Sequence, residues 1–258
     1  MLWIKKTAGH PSWLSDYCSY LSNHCSTFLN IPLLESWIDS YTISTDIPIG
    51  YGLGSSGALT AAIYDIAHHS NSKDESTSNL TELQRMLGLM ESFFHGKSSG
   101  FDPLISYLQM PILRKEGELD ILLPDAVNLP VYCYLLDSGR GRSGKDMIAK
   151  FLERYDSNKN RIDQLCELNN KVIDQSMTRA RAGEFYKNVK YISSLQQEVM
   201  YYMIIDDVKS YWLEGLQSDD YYLKICGAGG GGYYLVFSMN EIEKIGPYQL
   251  QRVFTQKA

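Results

Sequence analysis

Four glycines and two serines fall within the ten residues Pro48–Gly57, and this loop constrains the fold more than any other feature of the chain. The alternation of side chains from Trp37 to Ser44 suits a strand before it, and residues 57–69 carry apolar side chains at helical spacing after it. Glycines let a backbone approach a ligand closely, and the free amides at a helix start favour phosphate. The order strand, glycine loop, helix therefore indicates a phosphate-binding loop.

The loop alone leaves a second interpretation open, in which Ser55 or Ser56 is a plain helix cap in a tight turn. In a phosphate loop, by contrast, a serine hydroxyl at the helix start could also ligate Mg²⁺. The loop does not end in the GK[ST] triplet of a Walker loop. The spacing Gly52-x-Gly54-x-x-Gly57 matches the dinucleotide fingerprint only formally, because the acidic residues at the right distance lie in a polar stretch.

A second segment, Glu91–Pro103, begins within a predicted helix that ends just before Gly96 and extends beyond it. Glu91 lies beside the apolar stripe of that helix, where a carboxylate is unfavourable unless its charge meets a cation, and the alternative is a partly exposed Glu91 paired with an arginine. Asp102 follows a Ser-Ser-Gly turn and is either a helix cap or a carboxylate directed into a cleft. His95 alone would more often be a hydrogen-bonded residue at a helix end than a catalyst.

A third segment, Gly227–Gly232, contains four consecutive glycines between two predicted strands, Tyr221–Cys226 and Tyr233–Phe237. A two-residue turn would suffice to join two strands, and a glycine run is entropically unfavourable to order. Exposed backbone amides can bind phosphate or carboxylate groups. The run therefore predicts an anion-binding loop.

The 258 residues suffice for two modest domains, and Pro124 and Pro130 interrupt the chain near its middle. The predicted domains are 1–128 and 129–258. A buried strand is predicted at Val131–Leu136, helices are predicted over 144–212, and the polar residues 70–79 predict a surface connection. Helices and strands in both halves favour the α+β class.

Composition excludes several classes of protein. The net charge of −6 gives no general support for a nucleic-acid partner or an anionic membrane surface. Five cysteines without paired spacing argue against a disulfide framework or a structural zinc site, which favours a cytoplasmic protein. Nowhere do 18 apolar residues run together, so no membrane partner is expected.

Together the three segments resemble the signature regions of the GHMP kinases, and among them the mevalonate kinases of the Bacteroidetes group. The resemblance rests on three motifs, which occur in this order: Pro48-x-Gly-x-Gly-Leu-Gly-Ser-Ser, His95-Gly-x-Ser-Ser-Gly-x-Asp102 and Gly227-Ala-Gly-Gly-Gly-Gly. The resemblance implies an N-terminal domain like domain 2 of ribosomal protein S5 and a ferredoxin-like C-terminal domain. It also implies transfer of phosphate from ATP, with Mg²⁺, to a mevalonate-like alcohol, whereas a homodimer is left open.

Carried over residue by residue, the resemblance makes Asp102 the catalytic carboxylate and makes Ser56 and Glu91 the Mg²⁺ ligands, with Ser55 as a substitute for Ser56. It assigns ATP-phosphate binding to the first loop: Gly50, Gly52, Leu53, Gly54, Ser55, Ser56 and Gly57. It assigns substrate binding to residues of the other two segments: His95, Ser99, Gly227, Ala228, Gly229 and Gly230.

The family opens with a motif of the form GKxxLxGE, and nothing in Met1–Ile47 matches it. The resemblance therefore predicts an incomplete N-terminal domain, and Lys97, Lys145 and Lys224 are the candidates for the missing positive charge. Two alternatives follow: another GHMP kinase acting on phosphomevalonate or a sugar, and a non-catalytic nucleotide- or metabolite-binding relative. Gly57 stands where alanine is usual, a change expected to be conservative.

Overall fold

The computed structural model describes residues 2–5, 11–68, 79–141, 144–178 and 180–254. Its contacts divide the chain into two compact units. The first comprises Met1–Ile49 and Gly54–Pro124, and the second comprises Gly50–Leu53 and Asp125–Ala258. Four residues of the predicted phosphate loop thus group with the second unit. The proposed domain limit at 128/129 stays a prediction, and the polar stretch 70–78 lies outside the described residues.

The first unit is mainly helical. Its elements are β1 (Leu2–Lys5), α1 (Ser12–Cys25), α2 (Ile31–Ser40), β2 (Tyr41–Ser44), α3 (Ser55–Ala67), α4 (Leu80–His95), α5 (Phe101–Leu108), β3 (Ile112–Lys115) and β4 (Glu118–Ile121). Strand β1 pairs with β2, and β3 pairs with β4, both antiparallel. Buried apolar side chains from all five helices form one core, including Tyr17, Leu34, Ile63, Leu87 and Leu104.

The strand predicted from Trp37 to Ser44 is wrong over its first half, because α2 extends through Ser40. The Asn30 side chain caps this helix by accepting from the Leu33 amide, and a proline occupies its first turn. Leu34 and Ile38, four residues apart, are its buried positions. Residues 37–40 therefore follow the helical period of 3.6, although their side chains also fit the period of two that is typical of a strand.

The second unit contains a five-stranded antiparallel sheet. Its strands are β5 (Tyr132–Asp137), β6 (Tyr222–Ile225), β7 (Tyr233–Ser238), β8 (Lys244–Ile245) and β9 (Tyr248–Phe254), in the spatial order β6-β7-β5-β9-β8. Its helices are α6 (Gly144–Met177), α7 (Ala182–Val199) and α8 (Asp206–Ser218), with single 3₁₀ turns at Pro124–Ala126 and Tyr201–Met203.

Both faces of this sheet are covered by helices. Successive residues of a strand point to opposite faces, so Cys133 and Phe237 face α7 and pack on Phe185. Leu136 and Tyr234 take part in the other core, with Trp212 of α8. Helices and strands in both units confirm the predicted α+β class. None of the helices within the described ranges is long and apolar enough to cross a bilayer.

Candidate functional site

Helix α3 begins at Ser55, directly after Gly54, which adopts a left-handed conformation with φ of 69°. No side chain caps this end of the helix. The amides of a first helical turn have no partner within the helix, and the helix dipole is positive there. Neither serine is thus the plain cap that the alternative interpretation required, and the helix start is available to an anion.

The Ser56 hydroxyl joins α3 to α4. Its oxygen lies 2.9 Å from Oε1 of Glu91 and 2.9 Å from Nε2 of His95. A hydroxyl has one proton, so when Ser56 donates to the carboxylate, Nε2 of His95 must donate to Ser56. The structure therefore brings together three residues predicted at the site: Ser56, Glu91 and His95.

The Glu91 carboxylate is buried, with 4% of the residue exposed. Its Oε2 accepts a hydrogen bond from the Ser98 hydroxyl, so each oxygen has one hydroxyl donor. Within the described chain Glu91 forms no ion pair with lysine or arginine, contrary to the plain structural alternative for this residue. A buried carboxylate without a counter-charge is unfavourable, and this arrangement favours a cation close to it.

This donor set fits Mg²⁺. The ion prefers oxygen ligands, and in phosphoryl-transfer sites it binds one or two protein side chains together with phosphates and water. Ser56 and Glu91 supply a hydroxyl and a carboxylate 2.9 Å apart. No group of three or more His, Cys, Asp or Glu side chains suited to a metal occurs among the described residues.

Asp102 is an exposed residue in the first turn of α5, which follows Gly100 with its φ of 72°. Its side chain makes no capping hydrogen bond, so the helix-cap interpretation of Asp102 is wrong. A Cβ placed on Gly54 would lie 3.7 Å from Oδ2 of Asp102. The carboxylate therefore lies beside Gly54, the residue that directly precedes α3.

Gly57 packs tightly against the start of α5. A Cβ at this position would lie 2.9 Å from the carbonyl carbon and Cβ of Asp102 and from the nitrogen of Pro103. Real Cβ atoms almost never approach backbone this closely, so alanine would force the two helix starts apart. Packing therefore requires glycine at position 57, and the expectation that glycine here preserves close approach of the backbone to a ligand stays a prediction.

The turn before Asp102 is fixed on α4 by a close backbone approach. A Cβ on Gly100 would lie 2.1 Å from the Gln84 carbonyl oxygen, and the Gln84 side chain donates to the Ser99 carbonyl at 2.7 Å. The Ser98 hydroxyl accepts from the Gly100 amide at 3.0 Å while it donates to Glu91. Ser98 therefore joins the buried carboxylate to the turn that carries Asp102.

Ser98 was not among the site residues predicted from the sequence. Ser99 was chosen from the same turn, yet Ser99 is exposed, and its hydroxyl accepts only a local bond from the Phe101 amide at 3.3 Å. The two adjacent serines look alike in sequence. Only the path of the turn over α4 shows which hydroxyl reaches Glu91.

Ser98→Ala is expected to lower the free energy of unfolding by about 1–3 kcal/mol, because it removes one of two donors to a buried carboxylate. Urea unfolding measures this loss, and Ser40→Ala in the same unit is the control variant. Ser40 is exposed, and its hydroxyl donates only to the Ser36 carbonyl at 2.9 Å. Equal losses in the two variants would show that the Ser98 bond contributes nothing specific.

In the second unit, the first part of the loop lies against the glycine run. The Tyr51 carbonyl accepts from the Tyr233 amide at 3.1 Å, and their rings are 5.5 Å apart. A Cβ on Gly232 would lie 2.3 Å from the Tyr51 oxygen. Gly50 and Gly52 of this stretch have φ of 79° and 78°. The last glycine of the run is thus required by packing.

Three amides of the glycine run donate to carbonyls of the protein. Gly229 donates to Cys226 at 3.4 Å, Gly230 to Met203 at 2.6 Å and Gly232 to Arg140 at 2.7 Å. The amides of Gly227 and Ala228 have no protein acceptor within the described chain. Fewer amides of the predicted anion-binding loop can therefore bind an anion, since those of Gly229 and Gly230 already donate to protein carbonyls.

The three candidate lysines differ in setting. Lys97 is exposed on the turn after α4, and the side chain of Lys145 lies outside the described residues. Lys224 is on β6 in the second unit, where burial lowers its pKa because desolvation disfavours the ammonium form. In the described part of the first unit, Lys97 forms no ion pair with Asp102.

Part of the chain matches a known protein family. Residues 25–109 match the family described as the GHMP kinases N terminal domain. The chain is 31% identical over 137 residues to a mevalonate kinase of Pyrococcus abyssi and 25% identical over 150 residues to one of Thermococcus sibiricus. These matches cover 53% and 58% of this chain but only 39% and 43% of those enzymes. The chain thus spans less than half the length of these relatives.

Solved structures agree on the fold. A mevalonate kinase of Methanococcus jannaschii superposes with a TM-score of 0.55 at 17% identity, over 86% of this chain and 67% of that one. The mevalonate kinase of L. major, solved in complex with R-mevalonate, gives a TM-score of 0.52 at 12% identity over 90% and 71% of the two chains. At these identities the likeness concerns the fold alone.

Proposed function

We propose that this chain, whose residues 25–109 match the GHMP kinases N terminal domain and which is similar to mevalonate kinases, transfers the terminal phosphoryl group of ATP to the primary alcohol of mevalonate. One observation carries the proposal: the Asp102 carboxylate lies beside the uncapped start of α3, where a Cβ on Gly54 would be 3.7 Å from its Oδ2, and Ser56 in the same turn is hydrogen-bonded to the buried Glu91. Phosphoryl transfer depends mainly on positioning and charge neutralisation, and this arrangement supplies both.

The start of α3 is the proposed site of the ATP phosphates. Its first-turn amides have no capping side chain, and the left-handed Gly54 lets the backbone approach the ligand closely. The remaining loop residues, Gly50, Gly52 and Leu53, are assigned to the same role from the resemblance. The positive end of the helix dipole would stabilise the charge on the phosphates.

Ser56 and Glu91 are the proposed holders of Mg²⁺. When bound, the cation supplies positive charge against the oxygens of the transferred group. Ser98 fixes one oxygen of Glu91 and His95 donates to the Ser56 hydroxyl, so both ligands are oriented in advance. These bonds reduce the entropy lost when the ligands become ordered around the cation.

Asp102 is the proposed acceptor of the substrate hydroxyl proton. Its carboxylate is exposed next to the helix start, where a hydroxyl could approach the terminal phosphate. A carboxylate is a far weaker base than an alkoxide, so the proton is transferred late, as the oxygen–phosphorus bond forms. His95, Ser99, Gly227, Ala228, Gly229 and Gly230 remain proposed substrate-binding residues.

A second candidate is a non-catalytic nucleotide-binding protein. It is favoured by one observation: within the described residues no lysine pairs with Asp102, although a positive charge beside this carboxylate is what the family's opening motif implies. Such a protein would bind ATP and Mg²⁺ with the same residues and release no ADP.

An ADP-release assay with a substrate panel tests the choice. ATP and Mg²⁺ are supplied with mevalonate, with phosphomevalonate or with galactose. The proposal predicts ADP release with mevalonate well above the other two. A preference for either alternative alcohol would assign a different GHMP activity, and ATP binding without ADP release on any alcohol would favour the non-catalytic candidate.

Ser56→Ala and Glu91→Gln are expected to weaken ATP binding in the presence of Mg²⁺ by about tenfold or more, because each removes a charge-assisted contact. Binding without Mg²⁺ should change much less. Calorimetry with and without the cation measures both quantities. Ser40→Ala, an exposed serine on α2, is the control and should bind as the parent chain does. Equal weakening with and without Mg²⁺ would remove the assignment of these ligands.

A further inference from the structure

The second unit contains a cavity of about 390 Å³, and of the residues that line it only Gly227 and Ala228 have a role in the proposed reaction. Side chains of α6, of α7 and of the 3₁₀ turn that follows α7 line it together with the end of β6. Most of its wall is apolar, formed by Ile148, Phe151, Ile162, Leu165, Met200 and Met203. Cavities of about 300–1,000 Å³ with mainly apolar walls are typical of small-molecule sites.

One side chain of the lining is charged. Lys224 lines the cavity, and alternation along β6 places it on the same face as Tyr222, whose ring contacts Tyr186 of α7. The lining includes no aspartate or glutamate, and Lys224 forms no ion pair within the described part of the chain. Burial lowers the pKa of Lys224, so a counter-charge in the cavity would relieve an existing desolvation penalty.

Each of the two amide side chains of the lining makes one hydrogen bond to the backbone. Gln196 accepts from the Ile225 amide at 2.9 Å, and Asn169 donates to the Leu165 carbonyl at 2.8 Å. Gly227 and Ala228 border the same cavity, and their backbone amides have no protein acceptor in the described ranges. The polar end of the cavity therefore presents donors and positive charge but no negative group.

We propose that this cavity binds a small amphiphilic monoanion, whose aliphatic body lies against the walls from α6 and α7 and whose carboxylate pairs with Lys224. A single lysine matches a single negative charge, whereas a diphosphate would bury charge that this lining cannot neutralise. The inference rests on the second unit alone and does not depend on phosphoryl transfer.

Cys166 provides the measurement, because it is an exposed thiol that lines this cavity. The chain is alkylated with iodoacetamide, and peptide mapping by mass spectrometry gives the rate at each cysteine. Octanoate is compared with 1-octanol, which has the same aliphatic chain without the charge. Cys18 and Cys226 are half-buried, and Cys25 and Cys133 are buried; Cys18 in the first unit serves as the internal reference.

Octanoate is expected to slow alkylation of Cys166, but not of Cys18, at concentrations about tenfold lower than 1-octanol requires, since a charge-assisted bond is worth at least that factor. In Lys224→Met this preference should disappear while 1-octanol still protects. Lys224→Arg should retain part of the preference. Circular dichroism of each variant confirms folding.

Two results would overturn the proposal. The first is an absence of preference for octanoate over 1-octanol in the parent chain, which needs no variant and so is independent of folding effects. The second is an unchanged preference in folded Lys224→Met, which would place the anion elsewhere. Inactivity in the ADP-release assay has no bearing on either result.

Discussion

Asp102→Asn is expected to lower kcat for mevalonate phosphorylation by about 10²–10⁴-fold, the range typical of a lost general base. The amide keeps the shape of the carboxylate but cannot accept the hydroxyl proton. The side chain is exposed and makes no capping bond, so its replacement should leave stability nearly unchanged. ATP binding should also be retained, because the phosphate-binding amides belong to α3.

The measurement is ADP release at saturating mevalonate, together with calorimetry of ATP binding. Asp146→Asn is the matched control, since Asp146 is also exposed in the first turn of a helix, α6, and has no proposed role. Full activity in Asp102→Asn would remove the assigned role of this carboxylate. Loss of ATP binding along with activity would instead show that Asp102 acts on the fold or on the nucleotide.

Gly100→Ala is expected to be much more destabilising than Gly96→Ala, although both glycines have a positive φ, 72° and 77°. A positive φ costs an alanine about 1–2 kcal/mol, and this cost applies at both positions. At Gly96 a Cβ would have no atom within 4 Å, whereas at Gly100 it would lie 2.1 Å from the Gln84 oxygen. Overpacking adds about 1–3 kcal/mol at Gly100 only.

Urea unfolding of the two variants measures this difference, because both alanines would carry the cost of a positive φ and only the one at position 100 would meet the Gln84 oxygen. The same clash would displace the turn that carries Ser98 and Asp102. Activity should therefore fall in Gly100→Ala at temperatures where the variant is still folded, and should be nearly unchanged in Gly96→Ala. Equal stability losses would show that the turn does not pack closely on α4.

Much of the fold could be predicted from local patterns. The helix after the glycine loop, its neighbour ending before Gly96 and the two strands around the glycine run are all observed within a few residues. Gly96 ends its helix with a positive φ, as its position predicted. These elements have strong apolar periodicity or clear end signals. Strands β1, β3, β4, β8 and β9 were not predicted, because short strands carry little periodicity.

The residues of the candidate site could be predicted from the sequence, but several of the contacts between them could not. Ser56, Glu91 and His95 were named from motifs, and their hydrogen bonds confirm that they lie together. The role of Ser98 depends on a turn crossing another helix, and local sequence does not encode that contact. The packing constraint on Gly57 likewise arises from Asp102 and Pro103, about 45 residues further along the chain.

The glycine run illustrates a different limit. A run of glycines is compatible both with free amides that bind an anion and with close packing of backbone on backbone. The structure shows the second use at Gly232, which has no room for a Cβ beside Tyr51. Sequence alone cannot separate the two uses, because both require the absence of a side chain.

The central claim is that this chain transfers phosphate from ATP to mevalonate, and direct detection of the product tests it best. The 258-residue chain is incubated with mevalonate, Mg²⁺ and ATP labelled in its terminal phosphoryl group, and the products are analysed by mass spectrometry. The account predicts labelled phosphomevalonate, formed only with Mg²⁺ and absent with Asp102→Asn. Stoichiometric ATP binding with no labelled product would contradict it.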